Sequence, residues 1–222
     1  MMHFHIVNEV WPCFSGVLIF FIVLGVIARL LKWKKVGTTC YLLGIIGACF
    51  MLFFFRDPDR TPPSDPSAIV AGADGAIMAV KDVPENELLK TDTVRISIFL
   101  SLLDVHINRA PIGGEVKFLK YYPGKRFFTF QEKSSLYNQH SSILIENGRT
   151  RCLVNQIVGP VARRVVYWLK LGQEVGAGEK IGMMKFGSRL DMYFPKADVE
   201  VLVKPGDKVK AGVTVVARIK AR

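Results

Sequence analysis

Two long apolar stretches open the chain, and short runs of alternating apolar and polar residues fill the remainder. From Phe14 to Leu31 the sequence reads FSGVLIFFIVLGVIARLL, interrupted only by Ser15, two glycines and Arg29; from Tyr41 to Phe55 it reads YLLGIIGACFMLFFF without a charge. Each approaches the ~20 apolar residues that cross a bilayer as a helix. The short basic loop Lys32-Trp33-Lys34-Lys35-Val36-Gly37 joins them. The pattern therefore predicts a membrane-associated helical hairpin over residues 1–55. A cleaved signal peptide fits poorly, because no basic region precedes the first stretch and a second follows at once. Core helices of a soluble protein would keep a polar face, which neither stretch has.

Arg56 to Ser67 (RDPDRTPPSDPS) carries four prolines among mixed charges. Such a segment cannot continue a helix and predicts a semi-extended linker over 56–67. From about Ala68 to residue 222 the chain changes character. Glycine turns punctuate β-branched runs such as Ala76-Ile77-Met78-Ala79-Val80, Val94 to Leu100, Ser142 to Glu146 and Arg151 to Val158. This predicts a mainly β domain with few helices.

An internal repeat narrows the architecture. Gly172-Gln173-Glu174-Val175-Gly176-Ala177-Gly178-Glu179-Lys180-Ile181 and Gly206-Asp207-Lys208-Val209-Lys210-Ala211-Gly212-Val213-Thr214-Val215 share the pattern G-x-x-V-x-A-G-x-x-(I/V). Each reads as a turn, a short strand and a second glycine turn. The pattern resembles the hammerhead turns of biotinyl and lipoyl carrier domains, which implies a barrel-sandwich-hybrid-like catalytic domain of two small intertwined sheets behind the hairpin. That likeness speaks to fold and not to function.

Charge adds a partner class. Residues 1–55 hold four of the 30 Lys+Arg and one of the 19 Asp+Glu, leaving 26 basic and 18 acidic residues beyond them, a net +8. A tethered basic domain is attracted to anionic lipid. The basic residues are scattered and no recognition motif accompanies them, which argues against nucleic acid. The basic interhelical loop favours a cytoplasmic loop, whereas Arg56 and Arg60 flank the second stretch too. For a hairpin that spans, a cytoplasmic loop puts the catalytic domain on the far side, whereas a hairpin that dips into one leaflet escapes that rule. The expected location is the cell membrane, with the catalytic domain at the cytoplasmic face. Cys13, Cys40, Cys49 and Cys152 show no metal or disulfide spacing.

The candidate chemistry sits near the carboxyl end, in Met184-Lys185-Phe186-Gly187-Ser188-Arg189-Leu190-Asp191-Met192-Tyr193-Phe194-Pro195. A Gly-Ser pair usually makes a turn, but here it joins two strand-like runs, where the serine hydroxyl could attack the carbonyl before it. Gly187 lacks a Cβ and leaves that carbonyl unhindered. A base is needed, and His106 and His140 are the histidines beyond the apolar stretches. His106 ends an apolar strand in Asp104-Val105-His106-Ile107-Asn108-Arg109-Ala110-Pro111; His140 lies in the polar run Tyr137-Asn138-Gln139-His140-Ser141. A lone histidine at either place is commonly structural. Asp74, in Ala73-Asp74-Gly75, is a candidate orienting acid whose plain alternative is an Asp-Gly turn. Asp191 is read as a partner for Arg189 or a turn residue.

Four segments together, Phe55-Arg56-Asp57-Pro58, Ala73-Asp74-Gly75, Asp104 to Pro111 and Phe186-Gly187-Ser188-Arg189-Leu190-Asp191, resemble in order and spacing the short, type A phosphatidylserine decarboxylase proenzymes of bacteria and archaea. The resemblance implies a triad of the serine-protease kind, Ser188, His106 and Asp74. It also implies self-cleavage between Gly187 and Ser188 into residues 1–187 (β chain) and 188–222 (α chain), which stay together as a heterodimer. One departure stands out. Longer family members place a second histidine three positions after the first, and this chain has Arg109 there, which cannot serve as a base.

The implied cofactor is a covalent pyruvoyl group formed from Ser188, and the implied reaction is decarboxylation of phosphatidylserine to phosphatidylethanolamine. No metal is called for. Arg163, Arg164, Arg189 and Arg109 are the candidate ligands of the anionic headgroup. Archaetidylserine would undergo the same chemistry. A homo-oligomer is compatible with the sequence. A different class, a non-enzymatic membrane adaptor with a lipoyl-like module, lacks the exposed modifiable lysine of a carrier tip and has no use for the Gly187-Ser188 context.

Overall fold

The computed structural model describes residues 4–160, 165–185 and 188–221. The chain divides into two compact units, Met1–Asp59 and Arg60–Arg222.

In the first unit, strand β1 (Phe4–Ile6) precedes helices α1 (Val10–Leu30) and α2 (Lys34–Phe54), and β2 (Arg56–Pro58) returns to pair antiparallel with β1. Each helix has 21 residues, about 31 Å at 1.5 Å per residue, which matches the ~30 Å hydrocarbon core of a bilayer. Lys32, at φ 63°, turns the chain between them. Small residues let the helices approach: a Cβ on Gly25 would lie 2.3 Å from the Tyr41 ring, and one on Gly37 would lie 3.0 Å from the Gly25 carbonyl. Outside this seam the surface is apolar, with Ile19, Phe20, Leu30 and Ile46 exposed. An apolar exterior on a two-helix hairpin suits lipid and not water. This arrangement is compatible with membrane association.

The second unit is mainly β. Its strands are β3 (Ala68–Val70), β4 (Gly75–Glu85), β5 (Thr91–Leu100), β6 (Ile107–Arg109), β7 (Gly114–Tyr122), β8 (His140–Glu146) and β9 (Arg151–Val158). After them come β10 (Val165–Tyr167), β11 (Glu174–Val175), β12 (Lys180–Met184), β13 (Ser188–Pro195), β14 (Val199–Val201), β15 (Lys208–Val209) and β16 (Val215–Ile219). A short helix, α3 (Ser134–Tyr137), precedes β8. An eight-stranded antiparallel sheet runs β11-β7-β8-β9-β13-β5-β4-β15, flanked by the three-stranded sheets β10-β12-β6 and β14-β16-β3. The hammerhead repeat is present. Its equivalent glycines all adopt left-handed φ, Gly172 and Gly206 at 80° and 97°, Gly178 and Gly212 at 78° and 71°.

The repeats do more than decorate the sheet. β11 pairs with β7 at one edge and β15 with β4 at the other. The turns that follow meet, since a Cβ on Gly212 would lie 3.3 Å from the Gly178 Cα. Both edges are thereby drawn together and the sheet curls into a half-barrel. The two small sheets expected from the repeat are joined here by one large sheet, because the long alternating runs between the motifs pair with one another. The core fills the concave face with Ile96, Ile98, Leu100, Ile143, Ile145, Val154, Leu190, Met192 and Phe194 among others. Cys152 lies in it, its thiol pKa pushed well up by burial.

Candidate active site

Strand β13 is the centre of the large sheet, paired along its length with β5 and along most of it with β9. Every one of its residues is buried. Alternation sends Leu190, Met192 and Phe194 into the core, so Ser188 shares their inner face, while Arg189, Asp191 and Tyr193 point to the outer face. Ser188 opens the strand opposite Leu100, the last residue of β5, and Val158, the last of β9. Its Oγ is buried and has no hydrogen-bond partner among the described residues. Leaving a buried hydroxyl in that state costs about 1–3 kcal/mol, so the position asks for a functional account.

His106 lies at the same end of the sheet. Its carbonyl accepts from the Met184 amide at 3.2 Å, four residues before Ser188, and the side chain is fully buried. Nδ1 stands 2.9 Å from the Asp104 carbonyl oxygen. A carbonyl has no proton to give, so Nδ1–H donates, which leaves Nε2 as the position that takes or gives the second proton. The Asp104 carboxylate fixes this turn by accepting from the Ser101 amide and hydroxyl at 2.8 and 2.6 Å.

His140 is placed otherwise. On β8, Ser141 faces inward and donates to Gln156 at 2.7 Å, so the adjacent His140 faces outward. There it stacks on Tyr122 with ring centroids 4.8 Å apart and borders a cavity of about 640 Å³ that Arg95, Glu132 and Tyr193 also line. Ser188 and His106 belong to the inner side, whereas His140 and this cavity belong to the outer one.

Asp74 is buried, and both its oxygens are engaged: Oδ2 by Arg60 at 2.9 Å and Oδ1 by the Ala211 amide at 2.7 Å. In this conformation its carboxylate meets the second hammerhead turn and not the imidazole. The following Gly75 has φ 144°, and a Cβ there would stand 2.1 Å from the Phe99 carbonyl oxygen, so the Asp-Gly pair also starts β4 against β5. Arg109 reaches the same region. Its guanidinium donates to the Gly178 carbonyl at 2.9 Å, and its Cδ lies 2.8 Å from where a Gly212 Cβ would be. It braces the meeting point of the two turns.

Arg189 is buried on the outer face, donating through Nε to Asp191 at 2.7 Å and through a terminal nitrogen to Ser97 at 2.9 Å. Asp191 thus holds Arg189, as the sequence suggested, and accepts from Ser135 at 2.7 Å as well. Close by, Arg95 and the half-exposed Glu132 form an ion pair. Burial of Glu132 works against its charge, but Arg95, Arg189 and Lys81 together outweigh that and hold the carboxyl below its usual range. Tyr193 is pushed up to about 12, chiefly by burial and then by the nearby Asp191 charge. Arg163, Arg164 and Gly187 lie outside the described residues.

A polar row on the inner face escaped the sequence reading. Ser141 donates to the Gln156 carbonyl oxygen, and the Gln156 amide donates to Asn108 Oδ1 at 2.7 Å. Asn108 Nδ2 is buried without a hydrogen-bond partner among the described residues. Gln156 pairs opposite Leu190, one inward step from Ser188. The available signal was Gln156 interrupting the inward series Cys152, Val154, Val158. The described residues contain no group of three His, Cys, Asp or Glu able to hold a metal ion. The site can supply a nucleophilic hydroxyl, an imidazole and amide donors in a buried interior, an assembly suited to acyl transfer within the chain.

The family model for phosphatidylserine decarboxylase matches residues 48–217. A phosphatidylserine decarboxylase proenzyme of Carboxydothermus hydrogenoformans is 46% identical over 171 residues, 77% of this chain and 80% of its own. One from Symbiobacterium thermophilum is 39% identical across 96% of this chain and 95% of its own, and one from Desulfotalea psychrophila is 37% identical across 86% and 91%. With a match of this extent over the strands and turns that hold Ser188 and His106, the chain belongs to the phosphatidylserine decarboxylase family.

Proposed function

We propose that this chain is a membrane-anchored proenzyme that cuts itself at Gly187-Ser188 and then decarboxylates phosphatidylserine to phosphatidylethanolamine, the substrate its relatives' names give. The observation that carries this reading is the buried Ser188 Oγ, without a hydrogen-bond partner among the described residues, opening the central strand. A hydroxyl held for a neighbouring carbonyl has no other call on it.

Nε2 of His106 takes the Ser188 proton as Oγ attacks the Gly187 carbonyl carbon, and the peptide C–N bond breaks as the ester C–O bond forms. The imidazolium returns its proton to the freed amine. Loss of the Cα proton expels the Gly187 carboxylate and leaves dehydroalanine, whose imine tautomer takes up one water and releases ammonia. Residue 188 is then a pyruvoyl group capping residues 188–222, with residues 1–187 as the other chain. A small, uncharged ketone fits where a buried hydroxyl lacks polar partners among the described residues. When present, that group supplies the electron sink that loss of carbon dioxide requires. His106 then holds a proton for the substrate carbon that loses carbon dioxide.

Asp74 is the orienting acid of this scheme and exchanges Arg60 for the imidazole when the site is charged. Arg163 and Arg164 are the headgroup ligands, since Arg109 and Arg189 are occupied within the fold. The catalytic domain acts at the cytoplasmic face of the cell membrane. Intact-mass analysis tests the scheme: the small chain should be lighter by one ammonia than a serine-started peptide and should resist Edman sequencing. A readable Ser-Arg-Leu-Asp start would show plain proteolysis and end the proposal.

A further inference from the structure

The register of the large sheet gathers particular loops around Ser188. β5 ends at Leu100 and β9 at Val158, both opposite Ser188; β8 begins at His140 opposite Ile157, and β7 ends at Tyr122 opposite His140. The connections 101–106 and 123–139 therefore both emerge at the Ser188 end. Both carry exposed large apolar side chains: Leu102 and Leu103 at 48% and 66%, Phe128 and Phe130 at 55% and 61%.

The exposure is built and not frayed. The Leu102-Leu103 turn is closed by the Asp104 amide on the Ser101 carbonyl at 3.0 Å and by the Asp104 carboxylate on Ser101. Phe128 and Phe130 stack at 5.4 Å on a turn closed by the Gln131 amide at 3.0 Å. Their loop is rooted by Asn138, which brackets Phe127 at 2.8 and 2.7 Å and donates to the Val158 carbonyl at 2.9 Å. Cations ride on the same aromatics. Lys133 Nζ lies 4.1 Å from the Phe127 ring, and Lys125 Nζ lies 5.8 Å from it and 5.9 Å from Tyr137. Rigid apolar tips beside lysines form the pattern that settles at a bilayer interface, apolar groups among the acyl chains and ammonium groups among the phosphates.

We infer that these two loops form a bilayer-docking face of the catalytic domain, with an anionic lipid surface as its occupant. Leu102, Leu103, Phe128 and Phe130 enter the interface, Lys125 and Lys133 meet headgroup phosphates, and the Ser188 end of the sheet faces the headgroup layer. The inference rests on the lipid substrate proposed above, but it assigns the contact to the domain itself and not to the hairpin alone.

The test uses the full chain in nanodiscs containing anionic phospholipid, one component of which bears a diazirine on its acyl chain near the glycerol. In a Ser188→Ala protein, which stays uncut and inactive, photolysis should label peptides containing 102–103 and 128–130. The quadruple variant Leu102→Asp, Leu103→Asp, Phe128→Asp, Phe130→Asp should lose that label. With Ser188 intact, the same variant should cut itself normally and lose about tenfold or more in turnover of bilayer substrate, while turnover of a water-soluble dihexanoyl substrate changes by less than about twofold. Label confined to residues 10–54, equal losses on both substrates, or cross-linking of these loops to a second copy of the chain would each overturn the inference. Failure of the decarboxylation reading would appear as absent turnover in the unmodified protein, with the labelling still readable.

Discussion

Replacing Asp191 by alanine strands the Arg189 guanidinium in the middle of the sheet. Both side chains are fully buried, and the carboxylate also takes the Ser135 hydroxyl. Removing one partner of a buried ion pair costs about 3–5 kcal/mol, and the orphaned hydroxyl adds about 1 kcal/mol. Against a total stability of roughly 5–15 kcal/mol this is a large share. With a urea slope of about 2 kcal/mol per molar, the midpoint should fall by about 2–3 M. The measurement belongs in a Ser188→Ala background, where the chain stays in one piece, with Trp11 and Trp33 replaced by phenylalanine so that Trp168 alone reports. Joint replacement, Arg189→Met with Asp191→Leu, removes both charges and should recover most of the loss. A single variant within about 0.5 M of its parent, or a double variant as unstable as the single, would refute the claim that this pair is a buried charge network.

His106→Ala should slow self-cleavage by about a hundredfold or more, and His140→Ala by less than about threefold, on a denaturing gel time course. Asp74→Asn should slow cleavage as well, while Arg60→Ala, which frees the carboxylate, should not; equal losses would assign Asp74 to anchoring the Ala211 turn. Gly75→Ala puts a Cβ into the Phe99 carbonyl and should lower stability by about 2 kcal/mol or more, read as a drop in Tm. Tyr193 keeps its proton in the fold up to about 12, whereas an unfolded tyrosine releases it near 10. Its contribution is therefore whole below pH 10 and is lost as pH rises toward 12, about 2–3 kcal/mol that Tyr193→Phe should abolish in alkaline melts.

Much of this was legible because the periodicities are strong. The hairpin follows from two long apolar runs, the first broken by one charge, Arg29, and the second by none, and β5, β8 and β9 follow from alternating β-branched residues between turns. The repeated glycines foretold two turns in each hammerhead, but no local signal says that β11 and β15 cap opposite edges of one sheet. That is a long-range pairing. The same holds for the site. Ser188 and His106 are named by motif, whereas the outward facing of His140 depends on its register with Ile157 and Tyr122. Asp74 and Arg109 illustrate the limit, since composition gives each a charge and only the folded chain supplies their partners, Arg60 from the linker and Ala211 and Gly178 from the two hammerhead turns.

Ser188 stands at the first position of the central strand, so a cut before it severs the chain without removing a single strand pairing. Before the cut, folding is an event within one molecule. After the proposed cut, residues 188–222 would be held by non-covalent contacts alone, β13 with β5 and β9, β15 with β4 and β16 with β3, and unfolding would become a dissociation whose midpoint depends on protein concentration. Thirty-five residues that leave a diluted denatured mixture must find their partner by collision, against the competing association of exposed β5 and β9 edges. The cleaved protein would thus be persistent through a slow rate of strand release, and refolding would belong to the uncut chain alone.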